Sequence, residues 1–152
     1  MKLQVIPISI KDANLFVVNF HRHNKPVRGA KFAIGVSYDD QLVGVGILGR
    51  PVARNLDDGF TAEVVRSCVH PDAPKNTNSF IYGRLWRIWQ QMGGKRILTY
   101  TLKSESGASL RGAGYKVTGE TGGWKEGTGW TTRPGRHWQP VTGQLKLRWE
   151  KD

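Results

Sequence analysis

The chain has 152 residues, 38% of them hydrophobic, and a mean hydropathy of -0.45. This length suits one domain with its own core, and no apolar run approaches the roughly 20 residues that a membrane span needs, so we expect no membrane partner. A single cysteine, Cys68, excludes an internal disulfide and any zinc site built on paired cysteines.

The charge is basic along the whole chain. Lys and Arg number 23 against 12 Asp and Glu, which gives a formal net charge of +11 and a pI of about 10.2. Basic residues outnumber acidic ones in every third of the sequence, so the charge is not confined to a tail. A basic folded domain attracts polyanions, which favours nucleic acid or an anionic cofactor as a partner and leaves a solubility role as the alternative.

The chain opens with a predicted strand and helix. Lys2 to Ile8 alternates weakly, and Ser9 is placed to cap a helix over Ile10–Phe20, where apolar residues recur at helical spacing. Pro7 and the charges that follow it interrupt the apolar stretch before a signal-peptide core forms, so we expect a cytoplasmic protein.

The rest of the chain alternates further strands with two helices. Gly44 and Gly46 fall inside a predicted strand and indicate a close backbone neighbour or a bulge there. Residues 122–142 show no periodicity and predict a long irregular loop, rich in glycine, tryptophan and basic residues. The predicted elements are a hairpin of residues 31–37 and 41–48, a strand over Thr61–Val69, a helix over Asn78–Met92, a strand over residues 95–102, a short helix over Ala108–Ala113, a strand from Tyr115 and a final strand over Leu145–Trp149.

A polar loop, HPDAPKNTNS, joins the strand Thr61–Val69 to the long helix. The start of a helix presents backbone amides that have no partner within the helix, and these bind anions well. Strand, polar loop and helix in this order therefore favour a site for a phosphorylated cofactor. A loop that only caps the helix is the structural alternative.

The element order, β-α-β-β-β-α-β-α-β with a terminal strand, resembles that of the GCN5-related N-acetyltransferase (GNAT) superfamily. The resemblance implies a single α/β (α+β) domain over residues 1–152. It also implies a central mixed, mostly antiparallel twisted sheet of about six or seven strands, flanked by three or four helices.

The GNAT resemblance implies acetyl-CoA or a related acyl-CoA as the cofactor. In that family the strand matching Thr61–Val69 offers backbone groups to the pantetheine arm, and the next loop and helix start hold the pyrophosphate. The usual Gln/Arg-x-x-Gly-x-Gly/Ala loop is absent here. The implied cofactor-binding residues are Cys68, Val69, Lys75, Asn76, Thr77, Asn78 and Ser79, with Ser106 at the small-residue position where the cofactor sulfur passes.

The general acid of many GNAT enzymes is a tyrosine in the pattern Asn-x-x-Ala-x-x-x-Tyr-x-x-x-Gly-Phe. In SESGASLRGAGY the tail of this pattern matches at Gly114-Tyr115, but Leu110 occupies the tyrosine position. We therefore expect Tyr100 or Ser109 to protonate the leaving thiolate.

The general base is expected to be Glu63. Acylation requires a deprotonated amine, and Glu63, on the strand before the polar loop, is the best placed carboxylate to take the proton, directly or through water. An ion pair of Glu63 with Arg54 or Arg66 is the architectural alternative.

A closer resemblance covers about four fifths of the chain. Residues 20–36, 43–59, 63–68 and 96–115 are similar to a phage and prophage family of GNAT-like proteins. Distantly like them in fold are the Mom-type proteins of phages, which alter adenine and so hide phage DNA from restriction enzymes. The resemblance implies a DNA-modifying transferase in a bacterial host cell, with nucleic acid, DNA above all, as the partner.

The expected acceptor site draws on three basic segments. Cations interleaved with aromatic faces suit a flipped or single-stranded base, whereas tryptophans that only anchor a loop are the alternative. His21 and His23 with His70 or His137 are also compatible with a metal, but this spacing is a weak signal and we predict no metal site. The predicted substrate-binding residues are His21, Arg22, His23, Arg50, Arg54, Arg66, Trp124, Trp130 and Arg133.

Three functions stay open at this point. The first is an acyltransferase that acts on a nucleobase or another nucleic-acid amine, and the second is an acetyltransferase that acts on a small-molecule or protein amine. The third is a nucleic-acid-binding module without catalysis. A homodimer that pairs through Leu145–Trp149 as an edge strand is also expected.

Overall fold

Seven strands and three α-helices occur among the described residues of the computed structural model, which are 2–20, 26–122 and 145–152. The helices are α1 (Ile10–Phe20), α2 (Thr77–Gln91) and α3 (Ala108–Gly112), and a short 3-10 turn covers Arg54–Leu56. The strands are β1 (Gln4–Pro7), β2 (Phe32–Tyr38), β3 (Gln41–Gly49), β4 (Thr61–Val69), β5 (Arg96–Leu102), β6 (Lys116–Gly122) and β7 (Leu145–Lys151). In the described part of the chain, no helix is long and apolar enough to cross a membrane.

The strands form one mixed sheet in the order β1-β2-β3-β4-β5-β7-β6. All neighbours are antiparallel except β4 and β5, which run parallel, so the predicted mixed and mostly antiparallel sheet is confirmed. The expectation that the last strand forms an edge is wrong. β7 lies between β5 and β6 and pairs with both, which leaves no free edge on β7 for a dimer contact.

Helix α1 begins where the sequence predicts. The Ser9 hydroxyl accepts a hydrogen bond from the Asp12 amide at 3.0 Å, which is the expected N-cap. The helix then buries Ala13, Phe16 and Val17 against one face of the sheet, together with Val45, Ile47 and Cys68.

The opposite face of the sheet is covered by α2. Four apolar side chains at helical spacing, Ile81, Leu85, Trp86 and Trp89, are buried in the larger core cluster. The short helix α3 packs beside α2 and adds Leu110 to this cluster. The two helices thus form one layer, and α1 forms the other.

Two glycines of β3 allow α2 to lie close to the sheet. A Cβ atom at Gly46 would lie 2.6 Å from Ile81 Cγ2 and 2.9 Å from Leu85 Cδ1, and one at Gly44 would lie 3.1 Å from Ile81 Cδ1. The close neighbour that these glycines predict is therefore chiefly the helix above them rather than another strand.

Strands β4 and β5 separate after only three paired positions. The register ends with Glu63 opposite Leu98. From there β4 continues along β3 as far as Val69, whereas β5 continues along β7 as far as Leu102. At the point of separation the Thr99 hydroxyl donates to the Val64 carbonyl at 3.0 Å.

A β-bulge accompanies this separation. Leu48 of β3 lies opposite Val64, whereas the preceding residue, Ile47, lies opposite Arg66, so Val65 is the extra residue. Bulges bend a strand and increase its twist. The result is a V-shaped gap between the second half of β4 and the second half of β5, and α2 starts after the loop that follows this half of β4.

Candidate active site

Glu63 lies at the apex of the V-shaped gap. It occupies the last position at which β4 and β5 are paired, and only 7% of it is exposed. The Val52 backbone amide donates to Glu63 Oε1 at 3.1 Å. The loop that carries Val52 is closed by an ion pair of Arg50 with Asp57, in which Arg50 Nη2 lies 2.7 Å from Asp57 Oδ2.

The carboxyl group of Glu63 titrates near neutral pH. Burial raises its pKa to about 7, against the opposing effects of the Val52 hydrogen bond and of the positive charges on Lys146 and Arg66. A carboxyl group with a pKa near the working pH is ionised in a useful fraction of molecules and is also a stronger base than an ordinary glutamate. The site therefore contains a group that can accept a proton.

Tyr100 lies on the same face of the sheet as Glu63. Leu98 is opposite Glu63, and Tyr100 is two residues further along β5, so their side chains point to the same side. Burial and the negative charge of Glu63 raise the pKa of the Tyr100 phenol, while Arg148, its partner on β7, opposes that shift. A neutral phenol beside an arginine is suited to donate a proton and to carry the resulting charge.

Cys68 and Val69 lie in the half of β4 that has β3 as its neighbour and no paired residue on β5. The Cys68 side chain is 3% exposed, and burial raises the pKa of its thiol to about 11. The thiol is therefore protonated and unreactive at neutral pH. What this segment can offer to a ligand is its backbone.

The first turn of α2 is tied to its surroundings by its side chains. The Thr77 hydroxyl donates to the Pro74 carbonyl at 2.7 Å, the Ser67 hydroxyl donates to Asn78 Oδ1 at 2.7 Å, and the Ser79 hydroxyl donates to the Ser109 carbonyl at 3.1 Å. These bonds fix the start of the helix against β4 and α3. Any anion bound here is held mainly by the backbone amides, with Lys75 exposed in the preceding loop and Asn76 at the N-cap position.

The residues predicted on α3 have different surroundings. Leu110, at the position of the usual tyrosine, is 1% exposed and belongs to the core cluster, so this position faces the interior. The Ser109 carbonyl holds Ser79, and its hydroxyl stays a predicted proton donor. The Ser106 hydroxyl is exposed and accepts the Ala108 amide at 3.3 Å.

The predicted substrate residues are only partly brought together. Arg50 is engaged by Asp57, Arg54 is exposed in the 3-10 turn, and Arg66 Nη1 donates to the Val65 carbonyl at 2.6 Å. The ion pairs within the described residues do not include one between Glu63 and Arg54. His21, Arg22, His23, Trp124, Trp130 and Arg133 lie outside the described residues.

No cluster of three potential metal ligands occurs among the described residues. His70, one of the histidines considered above, accepts a hydrogen bond on Nδ1 from the Asp72 amide at 3.0 Å. Its ring also lies 4.8 Å from that of Phe20. Both contacts are structural.

Three groups near Glu63 were not predicted from the sequence. Lys146 and Arg148 lie two residues apart on β7, and the alternation of that strand was a usable signal that both point to one face. The Val52 amide belongs to a loop and is a backbone group, so no side-chain pattern could indicate it.

The family model of the Mom protein family matches residues 2–107. The chain belongs to the Mom protein family. The match covers β1 to β5, so it includes both sides of the gap, Glu63 and the start of α2. None of the curated proteins matches this Mom-family sequence.

Solved structures show what fold this Mom-family chain has. The ribosomal-protein-S18-alanine N-acetyltransferase from Escherichia coli matches with a TM-score of 0.67 at 8% identity, covering 98% of this chain and 92% of that one. An acetyltransferase from Bacillus subtilis in complex with CoA matches with a TM-score of 0.68 at 12% identity, covering 99% and 97%. A GNAT family acetyltransferase from Elizabethkingia anophelis with acetyl-CoA bound matches with a TM-score of 0.69 at 11% identity, covering 99% and 97%.

These matches confirm the predicted GNAT fold. The identities are low, but the similarity extends over nearly the whole of each chain. The seven-stranded mixed sheet and the three described helices of this Mom-family protein are therefore a GNAT-like arrangement. The gap between β4 and β5 belongs to that arrangement.

Proposed function

We propose that this Mom-family protein is an N-acyltransferase that takes an acyl group from acyl-CoA and transfers it to a nucleobase amine of nucleic acid, with DNA as the favoured substrate. The observation that carries the proposal is Glu63, a buried carboxyl group with a pKa of about 7 at the apex of the gap between β4 and β5. In a phage setting, such a modification protects DNA from restriction enzymes.

The described residues are compatible with an acyl-CoA cofactor. The segment Val65–Val69 has backbone groups on the side of the gap, and the amides at the start of α2 suit a pyrophosphate. Two of the structurally similar acetyltransferases hold CoA or acetyl-CoA. When bound, the cofactor supplies an activated thioester, and the protein supplies the groups that move protons.

Glu63 and Tyr100 divide the proton transfers between them. Glu63 takes a proton from the attacking amine, directly or through water, as the nitrogen bonds to the acyl carbon. Tyr100 gives its proton to the sulfur as the carbon–sulfur bond breaks, and Arg148 stabilises the phenolate that remains. Proton transfer to Glu63 removes the negative charge that opposes ionisation of Tyr100, so the first transfer favours the second.

The nucleic-acid acceptor is supported by the charge of the chain. A formal net charge of +11 favours a polyanionic partner. An amine inside a base pair cannot reach a carboxyl group that is 93% buried, so the base must be unpaired or flipped out of the helix. We propose that Arg54, which is exposed in the loop next to Val52, contacts the strand near that base.

The experiment is to express the protein and its Glu63→Gln variant in bacteria and to analyse nucleosides from DNA and RNA by mass spectrometry. We expect a nucleoside with an added acyl mass in DNA from cells with the wild-type protein and its loss with the variant. Calorimetry with acetyl-CoA tests the cofactor separately. Unchanged nucleosides in both DNA and RNA, from cells that contain folded protein, would refute base modification.

A second function is favoured by one comparison. The Escherichia coli neighbour is an N-acetyltransferase of a ribosomal-protein alanine, so the same fold also acts on a protein amine. Under this alternative the protein binds acetyl-CoA but shows no salt-dependent binding to DNA or RNA, because its acceptor is not a polyanion. Titration with a labelled oligonucleotide at several salt concentrations separates the two functions.

A further inference from the structure

A groove of about 340 Å³ lies between α2 and α3. Helix α2 packs on Ala62 and Val64, on the face of the sheet opposite α1, so the groove lies on that face. Glu63, between these two residues, points to the other face. The groove is lined by Ser79, Phe80, Arg84 and Arg87 of α2, by Ala113 after α3, and by Lys151 of β7. Of these residues only Ser79, in the first turn of α2, belongs to the predicted cofactor site.

The positive charges at this groove are not neutralised within the described residues. Arg84, Arg87 and Lys151 line the groove and Arg111 lies on α3, yet none of them belongs to an ion pair of the described part of the chain. Helices α2 and α3 contain no acidic residue.

Three other arginines differ in this respect. Arg50 pairs with Asp57, and Arg96 and Arg148 both pair with Glu150. The groove is therefore one place where several described cations lie together without a carboxylate partner and can bind an external anion.

The geometry of the arginines suits phosphate groups. The guanidinium of Arg84 lies over the ring of Phe80 at 4.8 Å, and that of Arg111 lies over the ring of Trp149 at 5.8 Å. Stacking on an aromatic ring restricts a guanidinium while its N–H groups at the edge stay able to donate, and arginine binds phosphate oxygens with two parallel hydrogen bonds.

We propose that the α2–α3 groove binds phosphodiester groups of a nucleic-acid strand, at a distance from the base that enters the active site. The proposal rests on the proposed function, since it takes nucleic acid as the partner. Cations on two helices and a strand are arranged for several phosphates in succession rather than for one terminal group. Because the groove and Glu63 lie on opposite faces, a strand that reaches both must pass through the gap between β4 and β5 or around an edge of the sheet.

The position of the cations argues against the cofactor as their ligand. The cofactor's pyrophosphate is expected at the first turn of α2, and Arg87 is eight residues beyond Ser79, which is about 12 Å along the helix axis. Lys151 lies opposite Ile97, near the start of β5 and far from the open end of the gap. The groove therefore begins beside Ser79 in the first turn of α2, and its cations lie further along the helix, away from the proposed pyrophosphate position.

The experiment measures binding of a fluorescent single-stranded 30-mer oligonucleotide by anisotropy at several salt concentrations. The test variant is the double substitution Arg84→Gln and Arg87→Gln, and Lys151→Gln is a second, independent variant. The control is Lys2→Gln with Lys11→Gln, which removes the same charge from exposed residues at the β1 end of the molecule. Thermal unfolding verifies that each variant is folded.

We expect the arginine double variant to bind the oligonucleotide at least tenfold more weakly than the control at about 0.1 M salt. Its plot of log K against log salt should be less steep by about 1.4, since each lost phosphate contact on a single strand contributes about 0.7. The Lys151 variant should show about half of that change in slope.

Three outcomes would overturn the proposal. Equal weakening in the arginine variant and the control would mean that only net charge matters. The arginine variant could bind CoA more weakly, yet bind dephospho-CoA and the oligonucleotide as the wild type does. This result would assign the groove to the cofactor. Absence of oligonucleotide binding by the wild-type protein would remove the nucleic-acid acceptor as well, whereas the first two outcomes leave the proposed function intact.

Discussion

The two halves of β4 have opposite properties although they belong to one continuous strand. Residues 61–64 are buried and include the three that pair with β5, the last of which, Glu63, also pairs with β3, whereas residues 65–69 are mostly half-buried and have no partner on β5. The first half fixes Glu63 rigidly in a water-poor environment, and the second leaves backbone groups open to a ligand. Under the proposed function, one strand would therefore carry both the general base and the backbone that binds the cofactor.

The largest expected effect concerns the buried charge in the first half. The pKa of Glu63 is raised in the folded protein from an ordinary 4.5 to about 7, so the folded state binds a proton more tightly than the unfolded state. The contribution of Glu63 to the free energy of unfolding is therefore complete below pH 4.5 and is lost as the pH rises towards 7 and above. The Glu63→Gln variant has no group that ionises at this position, so its stability does not fall in this way. Its free energy of unfolding should be larger than that of the wild type by about 3 kcal/mol above pH 7 and by little near pH 4.5. Urea unfolding at several pH values measures this difference.

If the stability difference between variant and wild type does not change with pH, the pKa of Glu63 is not raised in the folded protein. The two halves of β4 would then not differ in their electrostatic environment. The variant should also lose acyl transfer by a factor of about 10² to 10⁴, the usual worth of a general base. Loss of activity together with a gain of stability is typical of a group retained for its chemistry.

The next effect concerns packing and uses one valine from each half. Val64 is 5% exposed and belongs to the core cluster, whereas Val69 is half-buried and packs at the margin of that cluster. Val64→Ala should cost about 2 kcal/mol of unfolding free energy, from two lost methylene equivalents and a residual cavity, and Val69→Ala about 1 kcal/mol or less. Urea unfolding of both variants tests this, and equal costs would mean that the halves do not differ in packing.

The smallest expected effect concerns the hydrogen bond to Glu63, at the boundary between the two halves of β4. Val52→Pro removes the amide that donates to Glu63, so the pKa of the carboxyl group should rise further, whereas Val52→Ala keeps the donor and should leave the pKa unchanged. The carboxyl carbon signal of isotopically labelled glutamate, followed by NMR against pH, reports the pKa directly. Equal midpoints in both variants would mean that the Val52 hydrogen bond does not contribute to the pKa of Glu63.

The sequence pattern predicts the local structure around the site closely. The bounds of β4 agree with the prediction, Ser9 caps α1, and α2 begins within one residue of the predicted start. Each of these features is determined by neighbouring residues: alternation, a capping hydroxyl, or apolar spacing. Glu63 could be singled out because it is the one carboxylate on the strand Thr61–Val69.

The features that the sequence does not reveal depend on contacts between distant segments. Strand β7 pairs with β5 and β6 and lies between them. The alternation of apolar residues within β7 predicts a strand but does not show which strands it pairs with. The Thr77 and Ser79 hydroxyls donate to the Pro74 and Ser109 carbonyls, while the part of these two residues in cofactor binding stays a prediction. Their partners become known only when the helices are packed.

The glycines at positions 44 and 46 affect the distance between the first turn of α2 and the second half of β4. With hydrogen atoms there, the axis of α2 lies as near to β3 as the side chains of Ile81 and Leu85 allow. An alanine at position 46 would require these side chains to repack or the helix to shift outward, and a shifted helix carries its first turn away from the second half of β4. The spacing between the amides at the start of α2, proposed to bind phosphate, and the backbone of the second half of β4 thus depends on two glycines of the neighbouring strand β3.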